Sequence, residues 1–539
     1  MKGIYASSMA LVAAVTLAAC GSDSTTSTVA SSTTRGTLVE NPPVRIASLD
    51  AADFQAQLSA NSAGAQLLQL TGPLACGVDF YYLKFWTVGG AGETTESSGA
   101  LMVPTGTGAG CTGPRPILLY AHGTQTNKLL NIADITNTSN AEGALIAAMF
   151  AAQGYIVVAP NYAGYDISTL GYHPFLNATQ QSTEMIDILS AARAALPHTF
   201  AAATKDSGQL LVAGYSEGGH VAVATVKALE AAGQVVTAAS GGSGPYALEA
   251  FGDAIMFGNV NIGSTEFSPL LTTSYQHEYG NIYSSPGDFY SSTYASGIDT
   301  LLPSATPIAA LFAANKLPET ALFDITTPTV TVPGNAMESA ALTAALAPPA
   351  PTSSPEAPLF DLGFGNPFLI NDSVRVDYAL DAASDPDGED TPLTGMAASP
   401  MLAPAAPSYP LRKAFYLNDM RSWYGATLPG APLLMCGGEN DPTVFFSVNT
   451  GTMAAYWHGV PTVSTLDVDP ISGPSGLYAA IQGAFQSSEA QQLAHLQTPA
   501  GGGLSASAAE AALIEGYHSA VAPFCALAAR AFFTQVLAE

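Results

Sequence analysis

The sequence predicts an α/β fold: a mostly parallel central sheet with helices on both faces, interrupted by one large insertion. Three observations predict it. Short, wholly apolar runs at 116–121, 154–160 and 209–214 lack the alternation of a sheet with one wet face, so they read as strands buried on both sides. Segments of helical periodicity alternate with them, such as 180–196, where Met185, Ile186, Leu189 and Ala192 share a face. The alternation stops near residue 244 and resumes at 431–436 and 463–467, leaving a stretch too long for a plain loop.

Taken in order, the chain opens with Met1 and Lys2 and an apolar run at 9–18, too short to span a bilayer and shaped like a secretory signal peptide. Leu17-Ala18-Ala19-Cys20 resembles a bacterial lipobox, which implies cleavage after residue 19 and lipidation of Cys20. An ordinary signal peptide with an incidental cysteine is the alternative. Gly21 follows Cys20, so the resemblance does not point to inner-membrane retention. A Ser/Thr-rich tether over 20–45 cannot bury a core. The first part of the core is expected over 46–244. It includes strands at 80–88 and 99–104, the run 116–121 ending at His122-Gly123, a helix over 217–231 and a strand at 235–239. An inserted cap or lid domain is expected over 245–425, with helical pieces near 245–260, 305–315 and 336–347 and a Pro-dense stretch at 347–358. The second part of the core, 426–539, should end in a helix over 520–537.

Composition narrows the function. Of 539 residues, 48% are hydrophobic and only 11% charged, which excludes disorder over most of the chain. Lys and Arg number 15 against 42 Asp and Glu, a formal charge of −27 that would repel nucleic acid. Apart from Cys20 there are four cysteines. In an oxidising compartment they allow three pairings, and none has the close spacing of a zinc site. Cys76 with Cys111, and Cys436 with Cys525, is the expected connectivity.

The chemistry centres on Gly214-Tyr215-Ser216-Glu217-Gly218-Gly219, a G-x-S-x-G string joining an apolar strand to an Ala/Val helix. The string alone is weak; its strand–turn–helix setting gives it force, because such a turn exposes a serine at a helix N-terminus. An ordinary Gly-rich turn is the bland alternative. A serine nucleophile needs a base, expected late in the chain and oriented by an acid. Among eight histidines, His518 is placed in a turn feeding the last helix. His495 reads as a surface residue, and His458 as a packing or capping residue. Asp441, one loop beyond the strand 433–436, is the expected acid, with Glu439 the alternative and Asp467 and Asp469 behind it. The amides of Glu217 and Thr124 are the expected oxyanion donors, with Gly123 second to Thr124. His122 should shape its turn, and His220 should pack beside the nucleophile. The string Asp385-Pro-Asp387-Gly388-Glu389-Asp390 departs from a calcium loop and reads as a solvated acidic loop.

The order Ser216, Asp441, His518, with His122-Gly123 upstream, resembles the α/β-hydrolase superfamily. More narrowly, the segments 154–164, 173–176 and 214–219 are similar to bacterial secreted esterases of the secretory-lipase group that includes Candida lipase A. Asn161 stands where many members carry Asp. The resemblance covers roughly 75–245 and 425–539. It implies a carboxylic-ester hydrolase with a lid. The apolar, aromatic insertion should favour hydrophobic esters, and a serine acyl-enzyme route needs no cofactor or metal. It does not give the substrate-binding residues, acyl length or oligomeric state. A serine peptidase or acyltransferase on the same fold, or an inactive surface-binding protein, are the alternatives. The expected location is the cell envelope, held to the membrane at Cys20, or the exterior.

Overall fold

The computed structural model describes residues 34–539 except 138–139, 202, 351–355, 388–405 and 426. The signal segment, Cys20, most of the tether and the end of the acidic string therefore lie outside the described residues.

The strands are β1 (Val44–Leu49), β2 (Gly77–Val88), β3 (Thr94–Thr105), β4 (Gly113–Ala121), β5 (Ile156–Pro160), β6 (Thr204–Tyr215), β7 (Ala238–Gly242), β8 (Phe323–Asp324), β9 (Phe364–Gly365), β10 (Leu433–Gly437) and β11 (Val463–Asp467). Nine of them form one sheet in the order β1-β2-β3-β5-β4-β6-β7-β10-β11, and β8 pairs separately with β9. The sheet is antiparallel from β1 to β5 and parallel from β5 to β11. The apolar runs became its centre because both faces are covered. Ile117 and Leu119 pack with the helices Ala178–Ala195 and Glu217–Ala231, while Leu118 and Tyr120 pack with Ala141–Met149 and the end of the last helix. β7 begins three residues later than expected, and Val235 is exposed.

From β4 the chain passes to β5 on one side and then to β6 on the other. The order reverses at β4, so the connections leaving the carboxyl ends of β4 and β6 diverge and open a crevice. Two disulfides brace this frame, Cys76–Cys111 and Cys436–Cys525. The second ties β10 to the last helix, Ala506–Ala538.

Between β7 and β10 the chain builds a mainly helical insertion with its own core of Phe, Tyr and Leu side chains. The expected helical pieces appear as Leu248–Met256, Ile308–Ala313 and Ala336–Ala345. The sequence reading missed Ser264–Tyr279, whose Ser, Thr and internal Pro269 argue against a helix. Its Ser268 and Thr272 hydroxyls turn back onto carbonyls four residues earlier, and its apolar side chains pack into the insertion core.

Candidate active site

At the end of β6 the backbone turns within one residue into the helix Glu217–Ala231. Ser216, at that corner, has φ 58° and ψ −127°, a strained conformation for a residue with a side chain. The close approach explains the glycines. A Cβ on Gly214 would stand 2.0 Å from the Gly218 carbonyl oxygen, and one on Gly218 would stand 2.0 Å from that of Ala121. The Ser216 N–H donates to Gly242 O at 2.8 Å, which ties the corner to β7.

His518 Nε2 lies 2.8 Å from Ser216 Oγ, and His518 Nδ1 lies 2.6 Å from Asp441 Oδ2. The other carboxylate oxygen, Oδ1, accepts the N–H groups of Thr443 at 2.9 Å and Val444 at 3.1 Å, so Asp441 is held within its own turn beyond β10. The three residues picked from the sequence thus form one hydrogen-bonded chain, with Asp441 buried and His518 partly open. The setting of His518 differs from expectation. It stands in the middle of Ala506–Ala538, not in a turn before the last helix. The helix starts early because Ser505 caps it, accepting Ala508 N–H at 3.3 Å, and the Ala-rich stretch carries it past Gly516. His518 lies seven residues, two turns, before Cys525, so the disulfide to β10 anchors the same helix face. Tyr215 also donates its hydroxyl to His518 O.

Thr124 follows β4 and lines the pocket beside Ser216 and Glu217. The N–H of Gly123, the second choice, donates to both carboxylate oxygens of Glu142, at 3.1 Å each. His122 Nδ1 is 2.7 Å from Gly123 O; a carbonyl only accepts, so Nδ1 carries the proton. Burial lowers the His122 pKa and keeps the ring neutral. Glu217 Oε1 accepts from His173 Nε2 and Gln181 Nε2, both at 2.6 Å. Burial alone would raise its pKa, but the His173 ring holds it below the usual carboxylate range. Burial pushes Glu142 up to about 7 against the opposing bonds from Tyr120 and Gly123. Glu142 and Gln181 escaped the sequence reading because no spacing links them to the serine motif, and His173 was read only as part of the segment 173–176, without its bond to Glu217.

Ser216 opens onto a pocket that runs into the insertion. Its wall includes Phe175, Phe251, Phe267, Leu271, Phe289 and Phe415. The lining hydroxyls of Ser264, Ser268 and Thr272 are spent on neighbouring groups. Among the described residues, Glu217 is the lone charged one in the lining, and its Oε1 is engaged by His173 and Gln181.

The remaining sequence candidates stand apart. Glu439 is exposed and caps Ile471 N–H at 3.1 Å, while Asp467 accepts Glu439 N–H and Asp469 binds Asn440 and Tyr517. His495 is a surface residue, as expected. His458 is exposed too, so it is not a packing residue. His220 is buried in the helix after Ser216, its Nε2 2.7 Å from Asn418 O. Asn161 bridges Ile132 N–H and Ser98 Oγ, each at 2.8 Å, a structural task that an amide performs with both ends. The acidic string is not a solvated loop where it is described. Asp387 is buried against Arg421 at 3.0 Å, and Asp385 accepts Ala406 N–H. Among the described residues, no group of three or more His, Cys, Asp or Glu is arranged to hold a metal.

No protein-family model and no curated protein matches the chain. Solved structures do. A ligand-bound form of the rice cell wall degrading esterase LipA from Xanthomonas oryzae is 24% identical, with a TM-score of 0.59 over 84% of this chain and 96% of that one. A putative hydrolase from Legionella pneumophila is 16% identical, with a TM-score of 0.58 over 93% and 98% of the two chains. Lipase A from Candida antarctica, at 13% identity and a TM-score of 0.40 over 80% of this chain and 76% of that one, supports no conclusion by itself. Together with the sheet order, the first two show the α/β-hydrolase fold.

Proposed function

We propose that the chain is an exported serine carboxylic-ester hydrolase whose nucleophile, base and acid are Ser216, His518 and Asp441. The observation that carries this reading is the bonded chain Ser216–His518–Asp441 opening onto an apolar pocket. His518 Nε2 takes the Ser216 proton as Oγ attacks the ester carbonyl. Asp441 holds the ring so that Nδ1 carries a proton and Nε2 is free to accept. Charge develops on the carbonyl oxygen between the amides of Thr124 and Glu217, the latter at a helix N-terminus. His518 then protonates the leaving alcohol. Water, deprotonated by the same ring, releases the acid.

The insertion, over about 245–425, acts as a cap whose interior receives the acyl chain. A pocket lined by aromatic and aliphatic side chains, with no free charge, favours an uncharged hydrocarbon chain over a peptide terminus. The esterase LipA on the same fold supports ester hydrolysis here. The two disulfides fit an oxidising compartment, consistent with export and with an anchor at Cys20.

Hydrolysis of p-nitrophenyl esters from C2 to C16, wild type beside Ser216→Ala, tests the reading. The variant should lose at least about 10⁴-fold in kcat with its thermal midpoint unchanged. A folded wild type that cleaves none of the series, or a variant that retains activity, rejects it.

A further inference from the structure

We infer that Glu142 is a positioning residue for the oxyanion site: its carboxylate clamps the turn after β4 so that Thr124 N–H, and not Gly123 N–H, faces the reacting carbonyl. The inference rests on the ester-hydrolase reading above. Glu142 lies in the first turn of the helix Ala141–Met149, which packs beside the sheet. That helix end is stiff. Asn140 Oδ1 accepts Gly143 N–H, and its Nδ2 donates to the carbonyls of Asn131, Ile132 and Asp134, all at 3.1 Å.

The carboxylate holds the turn by its amide. Both oxygens stand 3.1 Å from Gly123 N, and Tyr120, at the end of β4, donates its hydroxyl to Oε1 at 2.8 Å. The opposite end of the same residue is held by His122, whose Nδ1 lies 2.7 Å from Gly123 O. In a planar trans peptide the Gly123 carbonyl and the Thr124 N–H point in opposite directions. Fixing Gly123 at both its N–H and its C=O therefore fixes the direction of Thr124 N–H. Tyr162 reinforces the turn through His122 O at 3.1 Å, and Tyr165 through Gln125 O.

A carboxylate accepts at both oxygens, whereas a glutamine amide presents an NH₂ to one of its two donor neighbours. Glu142→Gln should therefore displace the turn without emptying the site. Deleting an oxyanion donor outright costs about 10²–10³-fold in kcat; displacing one should cost about 10–100-fold. Wild type, Glu142→Gln and Tyr120→Phe are compared on p-nitrophenyl butyrate, with the inhibition constant of butylboronic acid as a tetrahedral mimic. For Glu142→Gln, kcat should fall about 10–100-fold, KM should stay within about threefold, and boronate affinity should fall in parallel with kcat. For Tyr120→Phe, kcat should fall about threefold. A Glu142→Gln kcat within about twofold of wild type, or a loss carried by KM alone, overturns the inference while leaving the ester reading intact. If Glu142→Gln does not fold, Tyr120→Phe decides, and an unchanged kcat overturns it. A wild type that cleaves no ester overturns the ester reading, and this inference with it.

Discussion

The serine site and the pocket it opens into are built by different means. Around Ser216 the positions come from backbone: one-residue turns at strand ends, glycines where chains touch, and N–H groups that hold Asp441 and Gly123. In the insertion they come from buried ionic struts, most of them between residues far apart. Arg412 binds Asp253 at 3.0 Å and Asp381 at 3.5 Å, and Arg421 binds Asp419 at 2.8 Å and Asp387 at 3.0 Å, with both guanidinium groups fully buried. Glu249 sits among them. Arg412 comes within 3.3 Å of it, yet no hydrogen bond reaches either carboxyl oxygen. At the serine corner close backbone approach sets the geometry, and neutral or singly charged side-chain bonds such as His518–Asp441 complete it. The insertion's struts carry the sensitivity of buried charge to pH.

Three substitutions would break or sharpen that contrast. The largest effect is expected in the core. Asp441→Asn should cut kcat by about 10³–10⁴-fold with the fold retained, because an amide in that place favours the wrong histidine tautomer. A loss below about tenfold in steady-state assays would remove Asp441 from its role.

In the insertion, burial and then Asp387 push the Glu249 pKa up to about 9 from 4.5, and Arg412 only partly offsets them. The folded chain therefore keeps a proton that the unfolded chain has released. Stability falls as pH rises from about 4.5 to about 9, by roughly 3 kcal/mol at neutral pH. Glu249→Gln should remove that slope, so the thermal midpoint of wild type should drop more than that of the variant between pH 5 and pH 9. Equal slopes would contradict the buried neutral carboxyl. The smallest effect is selective. Leu271→Trp, on the pocket wall, should lower kcat/KM on C12 esters about 10–100-fold and leave acetate esters unchanged. Equal loss on both would mean the acyl chain lies elsewhere.

Much of the core was legible in the sequence. The strand at 209–214, the serine turn and the helix from 217 form one contiguous stretch whose composition reports burial, close approach and a helix start together. Asp441 was legible because it follows a buried strand by one short turn. His518 was found by its lateness in the chain, but its secondary structure was misread: helix through Ser507, Gly516 and Ser519 depends on packing against β10 and the Cys436–Cys525 bridge. The helix Ser264–Tyr279 was illegible for the same reason, since its polar, Pro-containing text becomes helical by packing into the insertion core. Glu142 had no local signal at all.

The sequence by itself determined the α/β alternation, the place of the insertion and the identity of the three residues that meet at Ser216. Each is written in composition or order within a short window, where periodicity and turn chemistry act. Only the tertiary structure decided that Glu142 meets the Gly123 N–H beside the serine corner, and that Arg412 and Arg421 are buried among carboxylates of the insertion. The Arg412–Asp253 bond alone joins residues 159 positions apart, and burial and hydrogen-bond satisfaction at such separations are properties of the folded chain.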